Sequence, residues 1–214
     1  MATAKFEYPE KVELRGYKPT FSGNVRMIEK AVKMMLSAKK PVLYVGCGAT
    51  LTDAHAELMA LAETFQAPVT TTLMGMASFP TGHPLSMGML GMHGTYYANM
   101  AVTNSDLLIA LGARFDDRVT GKIDTFAPHA KIIHVDVDPT SIKKNVRVDL
   151  PIVGDLRDVL KKMNKALGEK PDEVALANKA HPPWLDEIAT WRKEHPMLYN
   201  ETKKEIKPEG VCFF

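Results

Sequence analysis

Five short apolar runs, at 41–45, 68–72, 107–111, 131–137 and 150–153, recur along the chain, and helical patterns fill much of the space between them. Runs of that length, most of them closed by glycine or an acidic residue, read as strands of a parallel sheet buried on both faces. Helical spacing falls at 53–65, 95–104 and 156–167, and earlier at 25–38, where Val25, Ile28, Ala31, Val32, Met35 and Leu36 follow Asn24, a suitable N-cap. Strand alternating with helix predicts an α/β fold: a doubly wound, mainly parallel sheet flanked by helices, of Rossmann-like type. Crossovers between parallel strands keep one hand, so the strand ends, and with them Gly46, Leu73, Gly112, Asp138 and Gly154, fall along one edge. Open α/β sheets bind their ligands at that edge.

The run 107–111 leads into Gly112-Ala113-Arg114-Phe115-Asp116-Asp117-Arg118, which places two arginines at the ligand-binding edge. Each guanidinium presents a planar fork of donors to phosphate oxygens, so the pair suits a phosphorylated ligand. Gly46-Cys47-Gly48 follows a strand and precedes Asp53, where a helix is expected to begin; glycines there let backbone approach a pyrophosphate. Leu51 stands where the third glycine of a dinucleotide fingerprint belongs, and 69–72 offers no acidic residue to hold a ribose, so a nicotinamide oxidoreductase is the weaker reading. Asp136 and Asp138 share one face by alternation, and either a ribose contact or a cap for a helix starting at Pro139 accounts for them. Gly154-Asp155 repeats the pattern of strand-end glycine and helix start, where Asp155 serves equally as an N-cap.

The segment 73–94 exceeds the usual connection length and carries Met74, Met76, Met87, Met89 and Met92, either a soft wall for a flat ligand or the filling of an irregular core. His93, among the glycines of this segment, is the histidine placed to meet a ligand; His55, His83, His129, His134, His181 and His195 read as surface or loop residues.

With 27 basic against 25 acidic residues and no basic run, nucleic-acid binding has no electrostatic support. No apolar segment reaches the roughly 20 residues that span a bilayer, and Met1 to Glu10 lacks the apolar core of a signal peptide. Cys47 and Cys212 fit neither a disulfide framework nor a zinc site, which suits a reducing cytoplasm, and the Asn200-Glu201-Thr202 sequon is then incidental. Residues 1–24, with Pro9, Gly16, Pro19 and Gly23, read as a linker; 25–168 as the ligand-binding domain; and 169–214, a charged helix near 184–194 and a polar tail punctuated by Pro182, Pro183, Pro196 and Pro208, as a connector.

Taken together, Pro-Val-Leu-Tyr-Val-Gly-Cys-Gly at 41–48, Thr-Thr-Leu-Met-Gly-Met at 71–76, Met-Leu-Gly-Met-His-Gly at 89–94, Gly-Ala-Arg-Phe-Asp-Asp-Arg-Val-Thr-Gly at 112–121 and His-Val-Asp-Val-Asp-Pro at 134–139 closely resemble the central domain of the acetolactate synthase large subunit, a thiamine-diphosphate-dependent enzyme. The resemblance implies a domain that binds FAD whose flavin takes no net redox part. It places Gly46, Cys47 and Gly48 along the diphosphate or ribityl chain, Thr72, Leu73 and Met74 at the isoalloxazine or ribityl end, and Leu90, Gly91, Met92 and His93 beside the flavin. Gly112, Ala113, Arg114, Asp116 and Arg118 are then expected on the ribityl and phosphate groups, and Asp136, Val137, Gly154 and Asp155 at the adenosine end.

Cys47 departs from the glycine or alanine often found between the two glycines, a small change. The thiamine-activating glutamate and the Gly-Asp-Gly magnesium motif belong to the family's N- and C-terminal domains, and no such Gly-Asp-Gly occurs here. The resemblance therefore implies an excised middle domain, inactive alone, whose parent condenses pyruvate with pyruvate or 2-oxobutyrate, losing CO2, in branched-chain amino-acid synthesis. Implied partners are the other two domains, further copies in a homo-oligomer and a regulatory small subunit, with no nucleic acid and no membrane. A structural spacer, ADP-binding or ligand-free, is the alternative.

Overall fold

The computed structural model describes residues 20–197 together with the isolated positions Lys5 and Glu10. Most of the expected linker, the polar tail, the sequon and Cys212 lie outside the described residues.

The first helix, α1 (Val25–Ser37), starts where the sequence predicts, with the Asn24 side chain accepting a hydrogen bond from the Met27 amide at 3.3 Å. Its buried stripe, Ile28, Ala31, Val32 and Met35, repeats at helical spacing and turns inward. Strand β1 (Pro41–Val45) follows, then a short helix α2 (Cys47–Leu51), α3 (His55–Phe65) and β2 (Val69–Thr71). A 3₁₀ turn (Leu73–Ser78), β3 (Ser86–Met89), α4 (Tyr96–Asn104), β4 (Leu107–Leu111), α5 (Asp117–Thr120), β5 (Lys131–Asp136) and β6 (Leu150–Val153) complete the sheet half, and α6 (Leu156–Gly168), α7 (Pro171–Asn178) and α8 (Pro182–Glu194) close the described chain.

All six strands are parallel, in the order β3-β2-β1-β4-β5-β6. The sheet grows in opposite directions from the β1–β4 pair, so that pair marks the topological switch point. Alternation along the strands sorts side chains onto two cores. Leu43, Val45, Ile109, Leu111, Ile133 and Val135 meet α1, α3 and α6 on one face. Val42, Tyr44, Leu108, Ala110 and Ile132 face α4 and α8 on the other.

Three expectations about secondary structure change. A helix begins at Cys47, not Asp53: Asp53 has φ 50° and sits in the bend between α2 and α3. The segment 73–94 is not an open loop, because it holds the 3₁₀ turn and edge strand β3. That strand escapes a reading by composition because Ser86-Met87-Gly88-Met89 has no β-branched residue and Gly88 has φ 71°, with a register shift against β2. After Asp138 the chain turns without a helix: the Asp138 carboxylate accepts from the Thr140 amide at 2.9 Å and from the Thr140 and Ser141 hydroxyls.

Residues 171–194 pack onto the sheet domain. Trp184 is buried, donating from Nε1 to the Pro41 carbonyl at 3.1 Å, while Lys40 lies 4.9 Å above its ring and 2.8 Å from Glu187. His181, expected at the surface or in a loop, lies between α7 and α8 but is buried edge-on against Phe65.

Candidate functional site

The sheet edge opens at the switch point, and glycines set its floor. The Gly46 amide donates to the Leu111 carbonyl at 3.0 Å, the Gly48 amide to Gly112 at 3.0 Å and the Gly112 amide to Val135 at 2.9 Å. A methyl group on Gly46 would stand 2.5 Å from the Ala113 Cα, and one on Gly48 2.7 Å from the Gly112 Cα. Gly112 itself has φ 60°, open to glycine at little cost. The close approach these glycines permit is between the two strand-end loops.

Above this floor lies a cleft of about 580 Å³. Thr72, Leu73 and Met74, from the end of β2 and the 3₁₀ turn, form one wall with Met89, Leu90, Met92 and His93. Gly112, Ala113, Arg114, Asp116, Arg118 and Val119 form the other, and Cys47 lines it from the start of α2. Leu73, Met74 and Met92 are each more than 60% exposed, an unusual surface for large apolar side chains.

The arginine wall is built by alternation. Phe115 is buried, so its neighbours Arg114 and Asp116 point outward. Ion pairs among the described residues engage Arg147 and Arg157, but not Arg114 or Arg118. Arg118 reaches the Met92 sulfur at 3.9 Å. Among the described residues Asp116 forms no ion pair with either arginine; its carboxylate caps α5 by accepting from the Arg118 amide at 3.2 Å.

The two walls are tied together. Gly91 has φ 93°, its amide and carbonyl are both held by the Asn99 side chain at 2.8 and 3.0 Å, and the Met92 amide donates to the Arg118 carbonyl at 2.9 Å.

Twelve of the residues that the resemblance places on the flavin nucleotide line one cleft together with Met89 of the methionine-rich segment, with Gly46, Gly48 and Gly91 forming the backbone behind it. Asp136, Val137, Gly154 and Asp155 are not among its lining residues. Asp136 ends β5, half-buried, with its carboxylate on the Asp138 amide at 2.9 Å, and Val137 beyond it is exposed. Gly154 faces the backbone of Gly23, where an added methyl would stand 2.8 Å from its nitrogen. The Asp155 amide donates to the Phe21 carbonyl, and its carboxylate caps α6.

Sequence reasoning missed Val119 and Asn99, and it read His134 as a surface or loop residue. His134 is fully buried under the arginine loop, edge-on to Phe115 at 5.1 Å. Burial pushes its pKa below the ordinary histidine value, against the pull of the Asp136 carboxylate 3.9 Å away. Its inward position on a buried strand was legible from alternation. No group of His, Cys, Asp and Glu among the described residues is placed to hold a metal ion, and no described helix is long and apolar enough to cross a membrane.

A family model of the thiamine pyrophosphate enzyme central domain matches residues 28–163. The acetolactate synthase large subunit of Corynebacterium glutamicum is 56% identical over 162 residues, 76% of this chain and 26% of that protein. The acetolactate synthase of Arthrospira platensis is 54% identical over 158 residues, and isozyme 3 of Escherichia coli 46% over 165. These matches take in 27% and 29% of those two relatives, so the chain spans well under a third of each of the three. A solved structure, described as a thiamin diphosphate-dependent enzyme from Mycobacterium smegmatis, superposes with a TM-score of 0.58 at 24% identity, covering 68% of this chain and 28% of that one, which shows a shared fold.

Proposed function

The chain belongs to the family of thiamine pyrophosphate enzyme central domains, and on that premise we propose that it is the FAD-binding middle of an acetolactate synthase large subunit. The cleft at the β1–β4 switch point carries this reading: an exposed, polarizable apolar wall faces a wall with two exposed arginines free of carboxylate partners among the described residues. Its volume lies within the roughly 300–1,000 Å³ usual for small-molecule sites. The residues present fit an FAD. Leu73, Met74 and Met92 offer dispersion contacts to a flat ring, and Arg114 and Arg118 offer forked donors to a diphosphate. The adenosine end is expected beyond the cleft, near Asp136 and Val137 at the end of β5, the strand beside β4.

In this reading thiamine diphosphate and Mg2+ bind in the N- and C-terminal domains of the same subunit, and the thiamine supplies the carbanion chemistry that joins pyruvate to a second 2-keto acid with loss of CO2. This chain's residues bind and orient the flavin nucleotide. Residues 25–168 form the cofactor domain, with 1–24 and 169–214 leading to its neighbours. The assembled enzyme is a cytoplasmic homo-oligomer with a regulatory small subunit.

One observation favours a second reading. Gly46, Gly48 and Gly112 are fully accounted for by contact between their own loops, as they would be in a spacer that binds ADP or nothing. Adding FAD to the purified chain, removing the excess and recording the visible spectrum with a calorimetric titration separates the two. Retained flavin absorbance, lost in Arg114→Ala and Arg118→Ala, is the expected result. Absence of uptake by both this chain and a full three-domain subunit favours the spacer.

A further inference from the structure

We propose that Tyr44 is a positioning residue for the arginine loop, holding the Arg114 backbone from beneath the sheet edge. The inference rests on the reading of that loop as a phosphate-binding wall. Between the end of β4 at Leu111 and the start of α5 at Asp117 the chain has no regular structure, so no ladder satisfies the carbonyls of Arg114 and Phe115. Two side chains from distant elements do so instead. The Tyr44 hydroxyl, at the fourth position of β1, donates to the Arg114 carbonyl at 3.0 Å, and the Asn145 amide donates to the Phe115 carbonyl.

The rings repeat the arrangement. Phe115 is the buried peg of the loop, with Tyr44 at 5.4 Å, His134 at 5.1 Å and Phe126 at 5.8 Å between ring centroids. A peg of this kind fixes where the loop sits; the hydroxyl fixes how the peptide following Arg114 is turned, and with it the direction of the guanidinium. Tyr44 is fully buried among apolar neighbours, and burial together with the nearby Asp116 carboxylate pushes its hydroxyl pKa up, so it remains a donor throughout the neutral range. Phenylalanine would fill the same space and make the same ring contact. A tyrosine is needed only if the hydrogen bond to the loop matters.

The test compares Tyr44→Phe, Arg114→Ala and the double variant in the full 214-residue chain. Without ligand, trypsin cleavage after Arg114 is expected to quicken about three- to tenfold in Tyr44→Phe, the share of opening set by one hydrogen bond. Cleavage after Arg147, an exposed control outside the loop, is expected to stay constant. With FAD, affinity is expected to weaken about three- to tenfold in Tyr44→Phe but to fall no further when Arg114 is already alanine, because the hydroxyl acts through that residue. Unchanged cleavage after Arg114 overturns the proposal. So does an affinity loss that simply adds to that of Arg114→Ala, since a general loosening of the fold would do the same. If neither the unaltered chain nor the full three-domain subunit takes up FAD, the functional reading fails, and cleavage after Arg114 alone then decides for or against Tyr44 as the anchor of the loop.

Discussion

The β1–β4 corner and the β6 corner of the sheet edge carry the same short pattern, a glycine at a strand end followed by a helix start. At the first, Gly46 and Gly112 clasp each other's loops and leave the flanking side chains, Arg114 and Met74 among them, facing a cleft. At the second, Gly154 is covered by the chain's own Gly23, and the Asp155 and Asp158 side chains are committed to the cap of α6 and to the Gly23 amide. The lesson is that a glycine at a strand end signals a close approach without saying what approaches. Which corner can take a ligand follows from what lies opposite.

The sharpest way to break that comparison is to add a methyl group at each corner. Gly46→Ala sets its new carbon against the backbone of Ala113 at 2.5 Å, with both neighbouring strands fixed in the sheet, so a loss of about 3 kcal/mol is expected in urea unfolding. Gly154→Ala meets the lead-in at Gly23, outside the sheet, and the yielding Val159 side chain at 3.2 Å, and about 1–2 kcal/mol is expected. Equal losses would mean that both corners are equally rigid.

Arg114→Ala comes next. Its side chain is exposed, so stability should stay within about 0.5 kcal/mol, while FAD affinity measured by calorimetry should fall about ten- to a hundredfold, the range for hydrogen bonds to a charged group.

Acid should loosen the two corners at different pH. His134 lies beneath the cleft corner, and burial holds its pKa down against the pull of Asp136. Stability is then complete above the ordinary histidine value and declines as pH falls from there toward the folded value, by up to about 1.4 kcal/mol per pH unit for each such histidine. His181 follows the same direction, also through burial, so His134→Leu should remove part of the slope between pH 7.5 and 5.5 (on the order of half) and not all of it. At the β6 corner, burial of the Asp158 carboxylate is outweighed by hydrogen bonds to Lys162 and the Gly23 amide, which hold its pKa below the ordinary value. That corner keeps this support above the ordinary aspartate range and loses it only as pH falls through the lower folded value.

The smallest effect is expected from Asp155→Ala. Losing the cap of α6 should cost about 1 kcal/mol, with FAD affinity unaltered; a clear loss of affinity would extend the site to the β6 corner.

Much of this was legible from the amino acids. Leu107–Leu111 and Pro41–Val45 are strands over the residues their apolar runs occupy, and the charges after Leu111 do emerge at a ligand-accessible edge. The edge strand at Ser86–Met89 was not legible, because its pairing with β2 stands in for a propensity its residues lack. Nor was α7, although Pro171 at its first turn with Asp172 and Glu173 behind it is a recognisable start. Tyr44 and Asn145 carry no local signature at all: each is defined by a backbone carbonyl far along the chain.

The order of strands and helices, the inward face of each and the presence of two arginines at a strand end were set by the sequence alone, because period and burial act over a few neighbouring residues. Whether a given glycine, aspartate or histidine faces a ligand, a loop or the core was decided by the tertiary structure. Gly46 meets Gly112, Gly154 meets Gly23 and His134 meets Phe115 only once the sheet has formed, and those meetings leave no trace in the local pattern of the chain.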